Sequence, residues 1–170
     1  MFPKIIKAQK IINAQKFMNN KIHPEITHVM KFDGCSKGNP GIAGAGAVIY
    51  LNGKEIWSDS VFVGNNSTNN EAEYQGLILG LKKANELDII NIIVEGDSLL
   101  IINHMNGTYK CKSPNLIELY NKSLNLSKLF NKIYFNHIYR IENKRADELS
   151  NIAVSEEYLL KLQKKYEQKQ

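Results

Sequence analysis

Val29, Met30 and Phe32 form a short apolar run that ends in one acid, Asp33, and a cluster of turn formers, Gly34, Gly38, Asn39, Pro40 and Gly41. Such a run predicts a buried strand with Asp33 at its carboxyl end. Residues 45–51 predict a second strand, Asn52-Gly53 the preferred two-residue hairpin turn, and residues 55–63 the strand that completes the hairpin. The polar stretch 65–70 suits capping, and a helical pattern follows through Leu87. Glu73 shares a stripe with Leu77, Gly80, Leu81 and Ala84, so the acid belongs to the side that faces the sheet. Gly76 and Gly80 each cost about 1 kcal/mol of helix propensity relative to Ala, which predicts close packing against strands.

Further on, residues 91–95 are a β-branched strand that closes on Gly96, Asp97 and Ser98, followed by a short helix over 99–105. Asp97 therefore repeats the expected placement of Asp33, just past a strand end, the edge at which open α/β sheets bind ligands. Residues 106–114 are a turn-rich link, 115–130 a helix with leucine spacing and 132–138 a final strand. Asn143 opens the last helix, with Asp147 in its early turns. Three hairpin-linked strands followed by alternating strands and helices predict an α/β fold, a mixed five-stranded sheet with three antiparallel and then parallel strands, flanked by helices.

The chain has 170 residues, 43% of them hydrophobic, enough for one domain with a proper core. That domain is expected over 27–155, between a basic extension at 1–26 and a charged tail at 156–170. Net charge is +5, and five Lys against one Glu in the first 26 residues put most of it in the extension. The extension also spaces Ile5, Ile6, Ile11, Ile12, Phe17 and Met18 as an amphipathic helix would, which leaves docking, polyanion contact and organelle targeting open. It lacks the Arg and Ser of a mitochondrial presequence. Cys35 and Cys111 form neither a CxxC pair nor a disulfide framework, so a reduced intracellular compartment, by default the cytoplasm, is expected. No apolar run approaches the roughly 18 residues that would span a membrane. A soluble monomer is the expectation.

If the sheet assembles as predicted, Asp33, Glu73, Asp97 and Asp147 gather near one edge. Two carboxylates about 5 Å apart repel by roughly 3 kcal/mol at an effective dielectric of 20, so four ionised ones call for cations. Oxygen-only ligands suit the hard ions Mg²⁺ or Mn²⁺ better than Zn²⁺, whose sites favour the His and Cys missing here. Two such ions roughly 4 Å apart suit phosphodiester hydrolysis, one side activating water and the other stabilising the leaving oxygen. Taken singly, each acid reads equally well as an exposed cap or turn residue.

Four blocks in order carry a resemblance: Asp33-Gly34-Cys35-Ser36-Lys37-Gly38-Asn39-Pro40-Gly41, Thr68-Asn69-Asn70-Glu71-Ala72-Glu73, Asp97-Ser98, and Asn143-Lys144-Arg145-Ala146-Asp147-Glu148-Leu149. Together they resemble the signature of type 1 ribonuclease H across residues 28–154. The resemblance implies an enzyme that cuts the RNA strand of RNA/DNA hybrids with two Mg²⁺ ions, Mn²⁺ being a possible substitute, and leaves 5′-phosphate and 3′-hydroxyl ends. It implies metal binding by Asp33, Glu73, Asp97 and Asp147. It implies hybrid contacts by Asn39, Asn69 and Asn70, whose short amides can reach the 2′-hydroxyls of a wide minor groove. Thr68 matches a DNA-phosphate contact, and Cys35 lies where the first turn would approach the backbone.

The departures bear on substrate handling. The family's mobile histidine lies in a loop before the last helix; His137 has a similar offset from Asp147 but falls within the expected final strand, and Arg140 is the alternative. Leu99 replaces a polar residue often seen after Asp-Ser. Between Met105 and Phe130 there is no Trp and no dense Lys cluster, so the basic handle of some members is absent. Two other readings stay open: another nuclease of the superfamily, such as a junction resolvase, and a catalytically silent nucleic-acid-binding module.

Overall fold

The computed structural model describes His23 and residues 25–168, so the amphipathic helix expected in the amino-terminal extension lies outside the described residues. The chain runs β1 (His28–Lys37), β2 (Gly41–Leu51), β3 (Lys54–Ser67), α1 (Asn69–Glu86), β4 (Asn91–Gly96), α2 (Leu99–Met105), α3 (Pro114–Ser127), β5 (Lys132–His137), a 3₁₀ turn (Arg140–Glu142) and α4 (Lys144–Glu167). One five-stranded sheet forms in the order β3-β2-β1-β4-β5. The first three strands are antiparallel, while β4 joins β1 and β5 joins β4 in parallel. This is the predicted mixed sheet, with β1 at its centre. The expected charged tail is largely the second half of α4, which continues as helix through Glu167.

The strands overrun their expected ends. Asp33 is not at the carboxyl end of β1 but in its middle, paired with Gly46, and the strand continues through Lys37 before turning at residues 38–40. Likewise β2 begins at Gly41, and β3 takes in Asn65 and Asn66, which the pattern assigns to a loop. The cause is what the glycines are for. In β2 they are strand residues where a helix comes close: a Cβ on Gly44 would lie 2.5 Å from the Ser150 carbonyl oxygen, and one on Gly46 2.4 Å from Leu149 Cβ. Glycine inside a strand marks close approach as readily as a turn. At Asn52-Gly53 the turn reading holds, since φ is 50° and 78°, the left-handed pair that a two-residue hairpin requires.

Period-two alternation along β1 sends Met30 and Phe32 into the larger core beneath α1, with Leu77, Leu81, Ile92 and Val94. Lys31 and Asp33 face α4, which covers Val48 with Ala146 and Leu149 on the opposite side. The sheet is therefore packed on both faces, and the acids of β1 and β4 stand where the layers meet. No helix among the described residues is long and apolar enough to cross a membrane.

Candidate active site

Three of the four sequence-predicted acids converge. Asp33 comes from the middle of β1, Glu73 from the second turn of α1 and Asp97 from just beyond β4, and one carboxylate oxygen of each lies within 4.8 Å of the others. The approach is made possible by missing side chains. A Cβ on Gly34 would sit 2.1 Å from the backbone nitrogen of Glu73, and one on Gly76 2.6 Å from the Asp33 carbonyl oxygen. The first turn of α1 thus rests directly on β1 and delivers Glu73 beside Asp33. The helix start is fixed by a capping box, in which the Thr68 hydroxyl accepts from the Glu71 amide and the Glu71 carboxylate accepts from the Thr68 amide.

Burial and crowding act together on these acids. Burial, then the neighbouring charges of Asp97 and Asp147, push the Asp33 carboxyl up to about 7, although the Gly34 amide and the Ser150 hydroxyl oppose the rise. Glu73 is raised well above the usual carboxylate range, by burial first and then by Asp33 and Asp97. Glu73 Oε2 is buried with no hydrogen-bond partner. Asp97 is oriented by Asn143, whose Nδ2 donates to Asp97 Oδ1 at 2.6 Å and to the Phe32 carbonyl at 2.8 Å. Asn143 Oδ1 is the second buried, unpartnered polar atom of this region.

Asp147 stands outside this group of three. Arg140 Nη2 donates to Asp147 Oδ1 at 2.8 Å and holds the carboxylate toward the 3₁₀ turn. Its charge still reaches Asp33, and one helical turn later the Ser150 hydroxyl lies 2.9 Å from the Asp147 carbonyl and 3.1 Å from Asp33 Oδ2. Sequence reasoning gave no role to Asn143 or Ser150. The signal for Ser150 was its i+3 spacing from Asp147, which puts both on one side of α4.

His137 is the last residue of β5 rather than a loop residue, and its Nε2 lies 3.2 Å from the Asp97 carbonyl oxygen. Since a carbonyl only accepts, Nε2 is the donor in this contact. Arg140 is on the 3₁₀ turn and engages Asp147. On the other flank, Asn39 Oδ1 accepts from the Asn69 amide at 2.9 Å, and Asn69 Oδ1 accepts from the Ser36 amide at 3.0 Å. Both side chains therefore turn their NH₂ groups away from these bonds, and among the described residues neither NH₂ has a partner. Asn70 follows on the first turn of α1, the Thr68 hydroxyl donates to Glu71 Oε2 at 2.7 Å, and Cys35 is a half-buried free thiol.

Two buried carboxylates and a half-buried third, with one orphaned oxygen and no His or Cys in the set, fit a hard divalent cation ligated by oxygen. A cation there would supply Glu73 Oε2 with its missing partner and offset the burial and the mutual repulsion that raise Asp33 and Glu73.

A family model described as reverse transcriptase-like matches residues 31–153. Over 127 residues the chain is 39% identical to the bifunctional protein Rv2228c of Mycobacterium tuberculosis, covering 74% of this chain and 35% of that protein. The chain thus spans about a third of that relative's length. It is 30% identical to the ribonuclease H of Pseudomonas fluorescens, covering 73% of this chain and 88% of that enzyme. Among solved structures, LC11-RNase H1 in complex with an RNA/DNA hybrid superposes with a TM-score of 0.73 at 34% identity, over 77% of this chain and 99% of that one.

Proposed function

Because this chain belongs to the ribonuclease H family, we propose that it is an endoribonuclease that hydrolyses the RNA strand of RNA/DNA hybrids and leaves 5′-phosphate and 3′-hydroxyl ends. The observation that carries the reading is the union of Asp33, Glu73 and Asp97, drawn from three separate parts of the chain into one cluster in which Asp33 and Glu73 are buried. A fold that stabilised itself alone would not crowd three acids together and leave Glu73 Oε2 buried without a partner.

In this reading Asp33, Glu73 and Asp97 would hold Mg²⁺, and Asp147, once released from Arg140, would complete the set for a second ion. When bound, the ions supply Lewis acidity at the scissile phosphate and lower the pKa of an attacking water. Asn143 keeps Asp97 Oδ2 free by occupying Oδ1. His137, beside Asp97, holds or moves a proton at the reacting phosphate. The amide NH₂ groups of Asn39, Asn69 and Asn70 meet the 2′-hydroxyls and acceptor edges of the hybrid's minor groove. Two free cysteines agree with a reducing compartment.

The test is cleavage of an end-labelled hybrid with Mg²⁺ and with chelator, beside single-stranded RNA, duplex RNA, duplex DNA and a four-way junction. Cutting of the hybrid's RNA strand alone, abolished by chelator and by Asp33→Asn or Asp97→Asn in folded protein, is the expected result. Preference for the junction, or hybrid binding without cleavage, overturns it.

A further inference from the structure

The turn Arg140–Glu142 contains no buried residue. It nevertheless carries the guanidinium that meets Asp147 and leads straight into Asn143, which orients Asp97. A segment without apolar anchors keeps its place through polar contacts. Here the tie to the sheet comes from β1, where Lys31 Nζ donates to the Glu142 carbonyl at 2.9 Å across 111 residues of sequence. Lys31 is in turn held by Glu95 Oε2 at 3.2 Å, from the residue beside it in the parallel β1–β4 register.

These two side chains are only 16% and 15% exposed. An ion pair that far from water adds little net stability, and an apolar pair of similar volume serves as well or better. What an apolar pair cannot do is donate to a carbonyl. We infer that Lys31 is a positioning residue: with Glu95 as its counter-charge it fastens the Arg140–Glu142 turn onto the β1–β4 seam, and so sets Arg140 opposite Asp147 and Asn143 opposite Asp97. The consequence for turnover rests on the hydrolase reading above, but the fastening itself does not.

Lys31→Met alone strands the Glu95 carboxylate and unfolds part of the population, so the informative variant is Lys31→Met with Glu95→Met. Three quantities are read on the full chain: thermal unfolding, kcat and KM on the hybrid, and amide hydrogen exchange over residues 140–147. The double variant is expected to melt at or above the wild-type temperature. Its exchange over that stretch rises about tenfold, and its kcat falls about fivefold with KM within about twofold, the mark of lost alignment rather than lost binding. Wild-type exchange and kcat in a stable double variant overturn the inference. If the wild type cuts no hybrid, the functional reading fails by itself, and hydrogen exchange still decides whether Lys31 holds the turn.

Discussion

A Cβ on Gly34 would stand 2.1 Å from the backbone nitrogen of Glu73 and 2.2 Å from the carbonyl carbon of Ala72. Both are main-chain atoms, so no rotamer change relieves the contact. Gly34→Ala must lift the start of α1 off β1, an overpacking cost of about 1–3 kcal/mol, and Glu73 leaves Asp33 with it. Since misplacing a reacting group by about 1 Å can cost about a hundredfold, hybrid cleavage should fall by at least that much while far-UV circular dichroism stays native. A lowered urea midpoint with intact turnover counts against the geometry.

Removal of divalent ions should leave a protein that prefers acid. The Asp33 carboxyl is raised to about 7 from its ordinary 3.8, so the folded state holds this proton more tightly than the unfolded chain does. Its contribution is fully present below about 4 and is lost as pH rises through about 7; Glu73 acts with the same sign. In chelator the melting temperature should decline between pH 5 and 8 relative to Asp33→Asn, and Mg²⁺ at pH 8 should restore it. Parallel profiles for the two proteins refute the assignment.

Glu73→Gln separates stability from activity. The amide removes a buried negative charge from beside Asp33 and Asp97 without changing shape. The metal-free variant should unfold at higher denaturant than the wild type, by about 1–3 kcal/mol. Cleavage should drop about a hundredfold or more, and calorimetry should show weakened Mg²⁺ binding. Destabilisation in chelator argues that the carboxylate is structural.

Arg140→Ala tests the competition for Asp147. The arginine side chain is 78% exposed, and an ion pair so open to water contributes about 0–1 kcal/mol, so the melting temperature should hardly move. With its guanidinium gone, Asp147 is free to ligate, and the Mg²⁺ concentration for half-maximal cleavage should fall. An increase means that Arg140 assists the ions instead of competing with them.

The sheet order was legible because its signals are local. Asn52-Gly53 admits one hairpin geometry, and the apolar stripe that includes Glu73 allows one buried side of α1. Asp33 was misplaced within β1 because glycine's two uses look alike in one dimension: Gly34 reads as punctuation and is in fact a contact with the start of α1, at Ala72 and Glu73. The acids themselves could be named from their positions relative to strands and caps. That Asp147 faces Arg140 was not legible, since it depends on a three-residue turn held from β1 by Lys31. Asn143 was hidden for another reason: an asparagine before a helix usually caps it, whereas this one makes no side-chain cap bond and spends its amide on Asp97 and Phe32.

Asn39 and Asn69 commit their oxygens to backbone amides. What each of those side chains keeps wholly uncommitted among the described residues is its NH₂ group, with two hydrogens to give. Under the proposed function, such a rim would tell sugars apart by subtraction, because a ribose presents an oxygen where deoxyribose presents only carbon-bound hydrogen. The orientation of those two amides is set where the β1–β2 turn meets the start of α1, before any ligand arrives.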